Sequence, residues 1–136
     1  MVKAYEEGRE RCETWGEIDI LPGGLKSPNP VGGHAVLALL RATGGAAIKV
    51  TNHEALDTVA DLAAAEGVFA CPEGATTLAG LRKAVAQGLI TRTERVVLMN
   101  TGSGLKSIPV LPSEGAPTIR SAADLTGSDP VQSSMA

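Results

Sequence analysis

Residues 66–106 read EGVFACPEGATTLAGLRKAVAQGLITRTERVVLMNTGSGLK, and Gly67, Pro72 and Gly88 divide this stretch into its elements. Leu78, Leu81 and Val85 fall on one side of a 3.6-residue repeat, which predicts a helix over 74–87 stopped by Gly88. Residues 68–71 form a short extended piece halted by Pro72. The run RVVLMN at 95–100 is apolar without alternation, the pattern of a strand covered on both faces in a parallel sheet. TGSGLK at 101–106 follows directly, at the carboxyl end of that strand, where open α/β sheets bind ligands.

Working outward, Thr51 or Asn52 is placed to cap a helix whose apolar face is Ala55, Leu56, Val59, Leu62 and Ala63, ending at Gly67. Residues 46–50 read as a short strand, and HAVLALLR at 34–41 as a buried helix stopped by Thr43, Gly44 and Gly45. From 16 to 33 glycines and prolines break both periodicities and mark a long loop, the kind that lines a site or a junction. Residues 2–13 form a weakly amphipathic helix, with apolar positions at Val2, Ala4 and Tyr5. Strands alternating with helices predict an α/β fold, a mostly parallel sheet with flanking helices over residues 1–106. Residues 107–136 turn to Pro, Ser, Gly, Ala and Thr and are expected to be a flexible or loosely packed tail.

A chain of 136 residues with 43% hydrophobic content can bury a core as one domain. Its aromatics are Tyr5, Trp15 and Phe69, so that core must be built mainly from Ala, Val, Leu and Ile. Net charge is -3, and the 12 basic residues are scattered, which argues against nucleic acid as a partner. No apolar run approaches the roughly 20 residues of a membrane span, and the charged start MVKAYEEGRERCE lacks a signal peptide's apolar core. A cytoplasmic location is expected by default. Cys12 and Cys71 match neither a redox pair nor a zinc spacing and read as reduced thiols.

Two segments carry candidate chemistry. TGSGLK offers hydroxyls and glycines at the end of a strand, although a plain strand-to-loop turn has the same composition. It is neither a P-loop nor a dinucleotide fingerprint. CPEGA at 71–75 opens a helix whose free amides favour an anion or an electron-rich ring edge; alternatively, Pro72 and Glu73 merely begin that helix. His34 and His53 have no partner at metal-ligand spacing, so no metal site is expected.

Taken together, EGVFACPEGATTLAGLRKAVAQGLI, a short polar link and ERVVLMNTGSGLK resemble the end of the catalytic domain in threonine synthases. VKAYEEGRER and GGLKSPNPVGGHAVL are similar to earlier stretches of the same family, so the resemblance runs from residue 2 to about 107. It implies a fold type II, tryptophan synthase β-like enzyme that uses pyridoxal 5'-phosphate. The implied reaction converts O-phospho-L-homoserine and water into L-threonine and phosphate. Carried over, Thr101 is the hydroxyl that bonds the cofactor's pyridine nitrogen, Gly102, Ser103 and Gly104 shape the loop beside the ring, and Cys71 and Pro72 lie near it.

His34 stands where the family usually has an acidic residue. The family's Schiff-base lysine and phosphate cradle come from earlier in the domain, and Lys3, Lys26, Lys49, Lys83 and Lys106 sit in other contexts. The resemblance therefore implies an incomplete domain without catalytic residues of its own. An isolated chain would be inactive, its partners the missing N-terminal half and, in a complete enzyme, a homo-oligomer. Two other readings are another fold type II enzyme such as cysteate synthase and a non-catalytic module binding a small molecule or a protein.

Overall fold

The computed structural model describes residues 1–18 and 23–110. Of the expected tail, residues 111–136 lie outside the described residues, as do 19–22 of the long loop. Among the described residues four α-helices form, α1 (Val2–Glu6), α2 (Gly33–Thr43), α3 (Asn52–Glu66) and α4 (Pro72–Ala86), with 3-10 turns at Gly23–Leu25, Gly104–Lys106 and Ile108–Val110.

Local chemistry sets the ends of α3. Thr51 Oγ1 accepts the Glu54 amide at 3.2 Å, and the Glu54 carboxylate accepts the Thr51 amide at 2.8 Å, so two otherwise unpaired donors are satisfied reciprocally. At the far end Gly67 turns left-handed at φ 67°, a conformation costly for any residue with a Cβ. The next helix, α4, starts two residues earlier than its apolar spacing predicts, because Pro72 already has the right φ for a first helical position and lacks the amide left unpaired there. Its stop is as expected, with Gly88 at φ 71°.

The core lies between α3 and α4. Ala55, Thr58 and Val59 of α3 are buried, as are Ala75, Ala79 and Ala84 of α4. The predicted stripe of Leu78, Leu81 and Val85 is half-buried, and the alanines make the seam. Side chains this short let the two backbones approach closely. Thr58 Oγ1 then lies 3.0 Å or less from the carbonyl oxygens of Glu54, Ala55 and Ala75, which satisfies a buried hydroxyl within the seam. Lys83 adds a second tie. Its ammonium reaches the Glu54 carboxylate at 2.7 Å and the Lys49 carbonyl at 2.9 Å, joining α4 to the cap of α3 and to the segment before it.

The structure departs from expectation in three further places. Helix α1 ends at Glu6, because Gly8 adopts φ 70° and the Arg9 amide folds back to the Ala4 carbonyl at 2.8 Å. Helix α2 is not buried: Gly33 and Leu37 are covered, while Leu39 is 61% exposed. Finally, among the described residues 46–50 and 95–100 form no strand, and β-pairing is a single antiparallel bridge between Ala70, in the extended piece expected at 68–71, and Ser103. A parallel strand needs a neighbouring backbone on its edge, and 46–50 and 95–100 find none here. Val97 and Met99 are accordingly 83% and 73% exposed. No helix among the described residues is long and apolar enough to cross a membrane.

The Glu54 carboxyl is lowered from 4.5 to about 2, chiefly by the hydrogen bond from Lys83 and then by the Thr51 amide and hydroxyl. Since the folded value lies below the unfolded one, the unfolded chain takes up the proton first. The stabilisation is complete above about pH 5 and is lost as pH falls through 4.5 towards 2. Glu54→Gln should therefore flatten the acid loss of far-ultraviolet circular dichroism in that window. Thr51→Ala should cost about 1 kcal/mol at neutral pH. An unchanged acid profile in Glu54→Gln would show that the cap does not govern it.

Candidate functional site

The segment preceding α4 and the loop after residue 99 are laced together by backbone. Cys71 donates its amide to the Gly102 carbonyl at 2.8 Å, and Gly104 donates to the Phe69 carbonyl at 2.9 Å, on either side of the Ala70–Ser103 bridge. Cys71 also caps α4, its Sγ accepting the Gly74 amide at 3.3 Å. One residue thus fixes both the start of the helix and the position of the loop.

Three glycines make the approach possible. A Cβ at Gly102 would stand 3.2 Å from Cys71 Sγ, and one at Gly104 would come within 2.7 Å of the Phe69 ring. At Gly74 it would run into the Asn100 side chain, 3.0 Å from its Cγ. Thr101 sits between these contacts, exposed, and its hydroxyl makes no hydrogen bond to another described residue. Its neighbour Asn100 accepts the Gly102 amide through Oδ1 at 3.4 Å. Ser103 is different, because its Oγ accepts the Leu105 amide at 3.3 Å and caps the following 3-10 turn.

The structure brings all six expected site residues together. Thr101, Gly102, Ser103 and Gly104 form the loop, the buried Cys71 holds it through Gly102, and the buried Pro72 follows Cys71 as the first residue of α4. Phe69, Gly74 and Asn100 complete the seam and were not singled out in the sequence; the one available signal was a glycine in the first turn of a helix, where it weakens the helix unless something packs on it. Burial pushes the nearby Glu73 carboxyl up, but amides of its own backbone and of Gly24, with the Cys71 thiol, outweigh burial and hold it below the usual carboxylate range.

Other candidates lie elsewhere. Lys83 is engaged by Glu54, and Lys3 stands over the Trp15 ring. His34 is exposed, and His53 pairs with Asp57 at 2.7 Å on an exposed face of α3. Among the described residues no group of three or more His, Cys, Asp or Glu side chains is placed to hold a metal ion.

Gly104→Ala should lower stability by about 1 kcal/mol, since its methyl would come within 2.7 Å of the partly exposed Phe69 ring, which must turn aside. Phe69→Leu should relieve part of that loss when the two are combined. Denaturant melts of the two single variants and the pair measure the coupling; strictly additive effects would deny the contact.

Residues 1–102 match the family described as pyridoxal-phosphate dependent enzyme. The chain is 32% identical over 106 residues to a threonine synthase of Methanocaldococcus jannaschii and 37% identical over 106 residues to one of Methanosarcina acetivorans; each alignment covers 78% of this chain and 26% of the relative. A threonine synthase of Halalkalibacterium halodurans is 34% identical over 90 residues, 66% of this chain and 25% of that enzyme. The chain thus spans about a quarter of the length of the curated relatives it matches. With three quarters of its residues inside one family match and the laced loop at the end of that match, this chain belongs to the pyridoxal-phosphate dependent enzymes.

Proposed function

We propose that this chain forms the cofactor-edge portion of a threonine synthase, which converts O-phospho-L-homoserine and water into L-threonine and phosphate. The observation that carries the reading is Thr101, an exposed and uncommitted hydroxyl on a loop that backbone bonds and three glycines hold in place. Such a group fits the edge of a heterocycle, because it can donate to a ring nitrogen without bringing charge. Pyridoxal phosphate, when bound, supplies an electron sink for carbanion chemistry next to an amino group.

In this role Thr101 donates its hydroxyl proton in a hydrogen bond to the pyridine nitrogen. Being neutral, it does not favour protonation of that nitrogen as a carboxylate would. Cys71 and Pro72 support the loop from below, and Gly102 to Gly104 keep it narrow enough to lie beside a planar ring. The lysine and the phosphate cradle belong to the rest of the family domain, so the isolated chain is proposed to be inactive. Segments 46–50 and 95–100 become strands of a parallel sheet when that remainder covers them, which would bury Val97 and Met99. The cytosol is the proposed location.

The test is a chimera in which the matching 106-residue segment of the Methanosarcina acetivorans relative is replaced by that of this chain. Thr101→Ala should weaken cofactor affinity by about 1 kcal/mol, roughly fivefold. Thr101→Asp should instead shift the cofactor's absorbance and divert products towards transamination, because a carboxylate favours a protonated ring nitrogen. Ser103→Ala, whose hydroxyl is already used by Leu105, should leave the spectrum unchanged. If Thr101→Asp keeps the parent spectrum and product ratio while Ser103→Ala disturbs both, the ring partner is not Thr101.

A further inference from the structure

Asn100 immediately precedes Thr101 and, although exposed to solvent, is fixed in place. It lies across the first turn of α4: a Cβ on the buried Gly74 would meet its Oδ1, and would stand 3.0 Å from its Cγ and 3.3 Å from its Cα. Backbone and side chain of Asn100 thus both rest on a position in that turn that has no side chain. The same Oδ1 accepts the Gly102 amide at 3.4 Å, two residues on, and closes a side-chain turn around Thr101. Gly102 is held through its carbonyl as well, which accepts the Cys71 amide at 2.8 Å. Thr101 therefore stands between two residues seated on one end of α4, Asn100 on Gly74 and Gly102 on Cys71. A closed turn of this kind sets the φ and ψ of the residue it spans, and with them the direction in which that side chain leaves the backbone.

We propose that Asn100 is a positioning residue for Thr101: seated on Gly74, its carbonyl oxygen holds the Gly102 amide and so aims the Thr101 hydroxyl. That the hydroxyl is aimed at a cofactor ring rests on the reading in the preceding section; the aiming does not. The residue type follows from the task. Reaching the amide two residues on needs a short side chain with an acceptor, which Asn and Asp both have, and Asn brings it without placing a charge beside Thr101. Glycine at 74 follows from the same contact. Alanine there would favour the helix taken alone, but its methyl would occupy the place of the Asn100 oxygen.

Amide exchange of the full chain, read residue by residue by nuclear magnetic resonance, tests the aiming without cofactor. In Asn100→Ala the Gly102 amide should exchange roughly threefold faster, while the Cys71 amide, bonded to the Gly102 carbonyl, keeps its rate and shows that the loop is still attached. The coupling between the Thr101 amide and α protons, which reports its φ, should move towards the averaged value of an open chain. Asn100→Asp keeps the acceptor and should preserve both. Gly74→Ala should reproduce the Asn100→Ala result with Asn100 still present. Unchanged Gly102 exchange or Thr101 coupling in Asn100→Ala, or equal loss in Asn100→Asp, overturns the proposal. In the chimera, Asn100→Ala should weaken cofactor affinity roughly fivefold, as Thr101→Ala does. The pair should match Thr101→Ala alone to within about twofold, because a residue that acts through Thr101 has nothing to aim once the hydroxyl is gone. Losses that multiply, to roughly 25-fold in the pair, would show that Asn100 acts independently of Thr101 and would also overturn the proposal. A parent chimera that binds no cofactor would count against the proposed reaction, leaving the exchange and coupling to decide the positioning.

Discussion

The hydrogen bond from the Cys71 amide to the Gly102 carbonyl is the constraint on which the rest of the site depends. It joins a residue that already caps a helix to a loop that has no regular structure of its own. Without it, the loop carrying Thr101 would be tied to the segment before α4 from one side alone, by the Gly104 amide on the Phe69 carbonyl. With it, the loop inherits the rigidity of α4, and α4 in turn is fixed against α3 by a seam of alanines and a satisfied threonine hydroxyl. The chain of support runs from Ala75 and Val59 in the core outward to a single exposed hydroxyl.

That support uses small side chains where larger ones were available. Leu78 and Leu81 stand beside the seam, half-buried, while Ala75 and Ala79 are in it. Short side chains bring backbone near to backbone, which is what lets Thr58 reach a carbonyl on the opposite helix. The same economy of volume recurs at Gly74, Gly102 and Gly104, where the absence of a Cβ lets two turns of chain lie in contact. Packing strength here comes from proximity, with few large apolar anchors.

Features decided within a few residues were legible in the sequence. The Thr51 cap, the Gly67 stop and the Gly88 stop depend on neighbours three or four positions away, and they stand where the pattern puts them. The nearness of Cys71 to the loop at 101–104 came only from the family resemblance of the quoted motifs, since no pattern within a few residues links the two. What was not legible is what distance in sequence conceals. RVVLMN has a strand's composition, but whether it is a strand depends on a partner edge that no local pattern supplies. Glu73 reads as a helix-opening residue, and nothing near it announces Gly24. Nor does apolar content reveal which face of α4 is used, because alanine and leucine both qualify and only the approach of α3 chooses between them.

The bare segment at 95–100 also has a kinetic meaning. Its backbone donors and acceptors, with Val97 and Met99 projecting into solvent, are of the kind that pairs with the same segment of another copy. Self-association of such an edge rises with the square of the chain's concentration. A dilute chain and the same chain stored at high concentration would share every bond described above and still reach different ends.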